Sequence, residues 1–206
     1  MSIEAAVCVV DDDAAIRDSL AILLEANGFK VASYPSAEAF LASPASGLGC
    51  VLVDVRMPGM GGIEFEEEMA RRGSRIPLIV MTGHADVALA VRAMKAGAVD
   101  FVEKPFDEQA LLAAVRRACA LGVESARAAA AEAQIDERLA LLTPREHQVL
   151  EALVAGKPNK AIAHELAISP RTVEIHRARV MEKMQARTLS DLVRMALASR
   201  APARTR

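Results

Sequence analysis

Five short apolar runs recur through the first half of the chain, and four of them stop abruptly at a charged or hydroxylated residue. Ala6–Val10 runs into Asp11-Asp12-Asp13, and Val51–Val53 into Asp54. Pro77–Met81 ends at Thr82, and Val99–Val102 ends near Lys104-Pro105, while Lys30–Tyr34 supplies the fifth run. Runs this short, bounded by turn residues, read as strands. The segments between them have helical spacing. Ala14–Asn27 carries Ile16, Leu20, Leu23 and Leu24, and Gly28 closes it. Ser36–Ala42 is a short helix with a serine cap, and Asp86–Ala96 is capped by Asp86 and stopped by Gly97. Gly62–Arg72 is a helix whose Glu64, Glu66, Glu67 and Glu68 are expected on an exposed acidic face. Strand and helix in alternation imply parallel βα units with right-handed crossovers, hence helices on both faces of one sheet. The fold class expected here is α/β, with a five-stranded parallel sheet. Ligands of such sheets bind at the carboxyl ends of the strands. Asp11, Asp12, Asp54, Thr82 and Lys104 all fall at that rim.

The second half is all-α. Residues 107–142 hold no proline and one glycine, Gly122, among many Ala, Glu, Arg and Leu. The segment is either an Ala-rich disordered linker or a helix, and propensity favours a helix continuous through Gly122. Val115, Cys119, Val123, Ile135, Leu139 and Leu142 make a stripe too irregular for a coiled coil. After residue 142 the punctuation is clear. Thr143-Pro144-Arg145-Glu146 is a capping box with proline at the first helical position. Asn159 is expected to cap Lys160–Ala167, Ser169 to cap Pro170–Met184, and Thr188 with Asp191 to start a last helix ending near Ser199. Short helices joined by tight turns suggest a helix-turn-helix. The basic tail 200–206 is expected to fray.

Charge separates the halves. Residues 140–206 carry 12 Lys and Arg against 6 Asp and Glu, whereas residues 1–139 carry 13 against 21. The basic part is a candidate for nucleic acid, and the acidic part is not. Hydrophobic residues at 52% and charged residues at 25% fit a soluble globular protein. No apolar run approaches the roughly 20 residues of a membrane helix, and Met1–Glu4 does not open like a signal peptide. A cytoplasmic location and no membrane partner are expected. Cys8, Cys50 and Cys119 show no metal-ligand spacing and read as apolar fillers in a reducing compartment.

If the first and third strands are neighbours, Asp11, Asp12 and Asp54 converge, and like charges so close call for a cation. A hard divalent ion such as Mg²⁺ suits carboxylate oxygens. Thr82 and Lys104 add a hydroxyl and an ammonium. A carboxylate nucleophile, a metal, a hydroxyl and a fixed cation are the parts needed to receive a phosphoryl group.

Val9-Val10-Asp11-Asp12, Asp54-Val55-Arg56-Met57-Pro58-Gly59, Thr82 and Lys104-Pro105-Phe106 resemble the receiver domain of bacterial response regulators, over residues 1–120, which implies a flavodoxin-like (CheY-like) fold. The resemblance implies Asp54 as phosphoacceptor, and Mg²⁺ (or Mn²⁺) held by Asp12 directly, by Asp11 partly through water, by Asp54 and by the Arg56 carbonyl. It further implies that Thr82 and Lys104 bind phosphoryl oxygens, that Phe101 is the aromatic switch position, and that the peptide at Lys104-Pro105 is cis. Residues 121–140 are the expected helical linker.

Residues 141–206 are similar to the LuxR-type (GerE-like) DNA-binding domain, a four-helix helix-turn-helix unit. The matching pieces are Leu142–Glu146, Gly156–Ala163 and Ile168–His176. Pro170–Met184 is then the recognition helix. Lys160, Arg171, Arg179 and Lys183 are expected at phosphates, and Thr172, Glu174, Ile175 and Arg177 at base edges. His176 is either part of that surface or a structural histidine. Glu174 and Ala178 depart from the lysines frequent there. Leu189, Leu192, Val193 and Leu197 either fill the core or pair with a second copy.

Together the halves resemble the FixJ/NarL class of two-component response regulators, with Met81–Val87 pointing to the FixJ branch. That branch implies a sensor histidine kinase, there a haem-based oxygen sensor, as phosphodonor. It implies a homodimer formed on phosphorylation, double-stranded DNA and RNA polymerase as partners, and activation of microaerobic or nitrogen-fixation genes. Slow self-dephosphorylation is expected, its rate tuned by Arg56 and His84, but no conventional enzyme activity. Two rivals are an Asp-nucleophile phosphatase and a DNA-binding regulator whose receiver serves only protein contacts. Arg56 stands where a phosphatase of the haloacid-dehalogenase type needs a second aspartate. A dinucleotide-binding fold lacks its glycine motif after the first strand.

Overall fold

The computed structural model describes residues 6–43, 47–83 and 87–200. They divide into two compact units, one through Arg127 and one from Ala128 onward.

In the first unit, strands and helices alternate as β1 (Ala6–Val10), α1 (Ala14–Ala26), β2 (Lys30–Tyr34), α2 (Ala37–Leu41), β3 (Leu48–Asp54), α3 (Gly62–Arg71), β4 (Leu78–Thr82), α4 (Val87–Ala96) and β5 (Asp100–Glu103). The strands form one parallel sheet in the order β2-β1-β3-β4-β5. The order reverses between β1 and β3, and such a switch point is where open parallel sheets bind their ligands. A parallel sheet covered on both faces needs strands apolar on both faces. β1, β3 and β4 meet that need with Ala6–Val10, Cys50–Val53 and Leu78–Met81, nearly all buried. Val7, Val9, Cys50, Leu52, Ile79 and Met81 face one core with Leu20 and Leu24 of α1. Cys8, Val10, Val51, Val53 and Val80 face the other with Phe40, Phe65 and Met69. Each such side chain contributes about 1.5–3 kcal/mol by leaving water. Tyr34, Phe40 and Phe65 stack edge to face there, with centroids 5.4 and 5.2 Å apart.

Two details depart from expectation. β3 begins three residues before Val51, at Leu48, because Leu48 already pairs with Ala6. Glu66 is not on an exposed face: it is 4% exposed, whereas Glu64 and Glu67 are exposed. Helical spacing puts Glu66 in line with Ile63 and Met69, both buried, so it rides on the apolar stripe. Asp86, His84 and the tail beyond residue 200 lie outside the described residues.

The segment after β5 is helical, not a disordered linker: α5 is a single helix, Glu108–Ala140. Its Leu111, Val115, Ala118 and Cys119 pack in the first unit's core. Gly122 sits where α5 crosses β3, and a Cβ there would stand 2.0 Å from the Gly49 carbonyl oxygen. Ile135 and Leu139 belong instead to the second unit's core. That unit continues with α6 (Pro144–Val154), α7 (Asn159–Glu165), α8 (Pro170–Lys183) and α9 (Leu189–Arg200). Thr143 and Glu146 form the expected capping box, and the Ser169 hydroxyl caps α8. Pro158 takes the cap position of α7, which leaves Asn159 as its first residue. Val149, Leu150, Ile162, Val173, Val180, Met184 and Leu192 are buried together. Of the α9 apolar residues, Leu192 is core, while Leu189 and Leu197 are exposed. No helix among the described residues is long and apolar enough to cross a membrane.

Candidate functional site

The chemistry gathers where β1, β3, β4 and β5 end. β1 stays buried one residue past its last apolar side chain, so Asp11 is 1% exposed. Its backbone is tied down on both sides. The Asp11 N–H donates to the Tyr34 carbonyl at 3.2 Å, and the Asp11 carbonyl accepts from Arg17 Nη1 at 2.6 Å. Asp11 Oδ1 accepts the Asp13 N–H at 2.9 Å, and Asp13 caps α1 through the Ala15 N–H at 2.8 Å. Asp54 ends the neighbouring strand, also buried, and its Oδ2 accepts the Arg56 N–H at 2.6 Å. Lys104 arrives from beyond β5. Its Nζ lies 2.6 Å from Asp11 Oδ2 and 2.6 Å from Asp54 Oδ1. The Lys104 N–H donates to the carbonyl of Thr82, which is itself buried, at 2.6 Å. The Lys104-Pro105 peptide is cis.

Asp11, Arg56, Asp54, Thr82 and Lys104 therefore meet at one rim. Asp12 does not join the buried pair. Of the three carboxylates expected to converge, Asp11 and Asp54 are buried on Lys104, and Asp12, the next residue after Asp11, is exposed. Phe101 is half-buried, registered against Val80, and packs with the second apolar cluster of the sheet.

Two carboxylates share one ammonium here, so the cluster keeps a net negative charge. Burial works to lower the Lys104 pKa, but the hydrogen bonds and charges of Asp11 and Asp54 outweigh it and hold the ammonium above its ordinary value. Among the described residues no three His, Cys, Asp or Glu side chains form an all-protein metal cage. Mg²⁺ does not require one: it takes one or two carboxylates and keeps several waters. Hard oxygens from Asp11 and Asp54, with residual negative charge, fit that ion.

The loop after Asp54 is shaped by close approach. A Cβ on Gly62 would lie 2.5 Å from the Asp54 carbonyl oxygen, and Gly59 adopts φ +79°. Two contributors escape a motif reading. Glu38 of α2 reaches across to accept the Met60 N–H at 2.9 Å, and hydrogen bonds from its own backbone and from Met60 lower its pKa. Arg17 fixes the Asp11 carbonyl. Both sit on helices whose spacing says only that they are polar positions.

In the second unit, α7 turns into α8 through Leu166 and Ala167, the latter at φ +52°. Arg145 Nη2 braces the turn by donating to the Leu166 carbonyl at 2.8 Å. Arg171, Glu174, Ile175 and Arg179 are exposed along α8, as is Lys160 on α7, while Arg177 is half-buried. Ile175 is 48% exposed, an apolar residue on an otherwise charged face. Three predicted contacts are placed differently. The Thr172 hydroxyl lies 2.8 Å from Ser169 Oγ, within the cap. The His176 ring is partly covered, and its Nδ1 is buried without a hydrogen-bond partner. Lys183 turns inward, donating to Glu146 Oε2 at 2.7 Å and to the Leu141 carbonyl at 3.0 Å. Glu146 is 2% exposed, and this ammonium, with the Thr143 N–H, pulls its pKa down to about 2.

Comparison with known proteins agrees with this geometry. Residues 7–116 match the response regulator receiver domain, and residues 140–196 the luxR family of bacterial regulatory proteins. The chain is 54% identical to the transcriptional regulatory protein FixJ of Azorhizobium caulinodans over 92% of this chain and 90% of that protein. It is 52% identical to FixJ of Rhizobium meliloti over 92% and 94%. Among solved structures, the response regulator StyR matches with a TM-score of 0.80 at 41% identity, covering 94% of this chain and 98% of that one. Full-length FixJ from B. japonicum matches with a TM-score of 0.56 at 49% identity, covering 95% and 97%. The chain thus belongs to the two-component response regulators, in the FixJ group, with a receiver and a LuxR-type DNA-binding domain in one regulator of transcription.

Proposed function

We propose that Asp54 is the phosphoacceptor and that its phosphorylation switches DNA binding by the helical unit. The carrying observation is the Lys104 ammonium bridging Asp11 and Asp54 at 2.6 Å each, at the reversal point of the sheet. A phosphohistidine of a sensor kinase is the donor. An Asp54 carboxylate oxygen attacks phosphorus, the bond to the kinase histidine breaks, and the histidine leaves. Lys104 follows the developing charge from the carboxylate to the phosphoryl oxygens, and the Thr82 hydroxyl donates to another. Mg²⁺ or Mn²⁺, held by Asp11, Asp12, Asp54 and the Arg56 carbonyl, supplies the remaining positive charge when bound. Water later hydrolyses the acyl phosphate slowly, and no other catalytic activity is assigned.

The added charge reorganises the end of β4, and α4 and Phe101 move with Thr82. Val87, Val91 and Met94 lie one turn apart on α4 and are 79%, 46% and 51% exposed. With β5 they supply the apolar surface of a phosphorylation-dependent homodimer, which presents two α8 helices to two half-sites. Lys160, Arg171 and Arg179 contact phosphates, and Glu174, Ile175 and Arg177 read bases. Thr172, His176 and Lys183 serve chiefly to position α8. The regulator acts in the cytoplasm as an activator working with RNA polymerase. Its likeness to FixJ proteins favours a haem-based oxygen sensor as kinase and oxygen-responsive microaerobic or nitrogen-fixation genes as targets.

The test uses the full chain with Mg²⁺ and a small acyl-phosphate donor. Phosphorylation, molecular mass and affinity for a duplex selected from a random pool are followed together. Wild type is expected to take up one phosphoryl group, dimerise and bind more tightly, and Asp54→Asn to do none of these. An equal response in both proteins overturns the reading.

A further inference from the structure

The role of Asp54 leaves two buried cysteines unused. Cys50 lies in β3, four residues before Asp54, and Cys119 lies in the part of α5 that packs on the sheet. Their sulfurs are 3.5 Å apart although 69 residues separate them in the chain. A disulfide bond is about 2.05 Å long, so the two atoms need to close by about 1.5 Å. Cβ–Cβ distances in disulfides are only about 3.8 Å, so the backbones must already be close for such a bond. They are held close by a second contact. One turn along α5 from Cys119, Gly122 lies so near the Gly49 carbonyl that no side chain fits between them. Gly49 directly precedes Cys50. The seat of α5 on β3 therefore fixes the sulfur pair on both partners, and the closure is left to the two side chains.

We propose that Cys50 and Cys119 form a reversible disulfide, a covalent modification site that ties α5 to the strand carrying Asp54, with a hydroperoxide as the oxidant. The two sulfurs are unequal. Cys50 is fully buried and Cys119 is 6% exposed. The hydrogen bond between them raises the Cys50 pKa, with burial adding to the rise, and lowers that of Cys119. Cys119 is thus the attacking thiolate. Its sulfur takes the terminal hydroperoxide oxygen with its hydrogen, the O–O bond breaks, and the released oxide takes the proton that Cys119 gave up on ionising, to leave as water or an alcohol. The Cys50 thiol then attacks the Cys119 sulfenic acid. The S–S bond forms, the S–O bond breaks, and the hydroxyl leaves with the Cys50 proton as a second water. Two thiols lose two electrons and the peroxide gains them. A dithiol reverses the reaction by exchange. Cys8 sits on the opposite face of the sheet, in the other apolar cluster, and serves as an internal control.

The experiment treats the native full chain with hydrogen peroxide, then unfolds it, alkylates the remaining thiols and digests it. The expected result is a mass lower by two hydrogens, one peptide pair joined through Cys50 and Cys119, and Cys8 fully alkylated. Dithiothreitol restores all three thiols. Neither Cys50→Ala nor Cys119→Ala gives the internal cross-link. Amide exchange in residues 111–122 slows on oxidation in wild type and is unchanged by peroxide in either variant. Asp54→Asn forms the bond as readily as wild type, which separates this test from that of the phosphoacceptor. Oxidation confined to single sulfurs, disulfides only between chains, or thiols that stay free at peroxide levels that fully oxidise a small dithiol would each overturn the proposal.

Discussion

The two units each bury carboxylate and lysine together, and they do so to opposite ends. In the helical unit one carboxylate, Glu146, meets one ammonium, Lys183, and both are used to the full. Glu146 also accepts the Thr143 N–H at 2.8 Å, and Lys183 also holds the Leu141 carbonyl. That cluster is neutral and locks the start of α6 to the end of α8. In the receiver, Asp11 and Asp54 share the single Lys104. That cluster is one positive charge short, at the carboxyl ends of the strands, where parallel sheets bind their ligands. A satisfied buried pair is scaffolding, and an under-compensated one is poised for chemistry.

Substitutions in each cluster test this contrast. The largest effect is expected for Lys183→Met, which strands the Glu146 carboxylate and costs the helical unit about 3 kcal/mol in denaturant unfolding. The pH dependence carries a sign. Glu146 is held near 2 in the folded unit, below its ordinary 4.5. Its contribution is present above about 4.5 and is lost as pH falls toward 2. Lys183→Met should flatten that acid limb, and an unchanged limb would remove Glu146 from the scaffold.

Glu66 gives the opposite sign. It is buried with Oε2 unpartnered, and desolvation, aided by the charge of Glu67, pushes its pKa up to about 7. Below about 4.5 no cost of ionisation is felt, and stability falls as pH rises from there through 7. Glu66→Leu should raise receiver stability at pH 8 by about 2 kcal/mol and by much less at pH 5. Equal gains at both pH values would mean that packing, not charge, is responsible.

Smaller again is Asp54→Asn without donor or metal. Relief of like charge should stabilise the receiver by about 1 kcal/mol, where the same carboxylate-to-amide exchange at Glu146 destabilises. A loss at both sites would erase the distinction between the clusters. The smallest effects concern the exposed arginines. Arg171→Ala and Arg179→Ala should each reduce the slope of log affinity against log salt by about 0.9, leaving unfolding unchanged.

The fold was legible because apolar runs and strand-ending polar residues are local signals. Asp11, Asp54 and Thr82 stand at the ends of runs that fold as buried strands, and Lys104 follows the half-buried β5, so their meeting follows from topology. The capping box at Thr143 and Glu146 is equally local. Less legible was everything that depends on what lies across a gap. Glu66 looks like one more acid in an acidic helix, and only packing against the core makes it buried. Lys183 looks like a phosphate contact until Glu146, 37 residues away, is seen beneath it. Glu38 and Arg17 act through the backbone of distant loops, and no residue-type pattern marks that use. The Cys50–Cys119 approach likewise depends on how closely Gly122 lets α5 sit.

The most direct test of the central claim is to locate the phosphoryl group. The full chain is incubated with Mg²⁺ and a small acyl-phosphate donor, trapped by borohydride reduction of the acyl phosphate, digested and sequenced by mass spectrometry. Reduction at Asp54 alone, absent in Asp54→Asn, is the predicted result. Reduction at Asp11 or Asp12, or none in wild type, would contradict it.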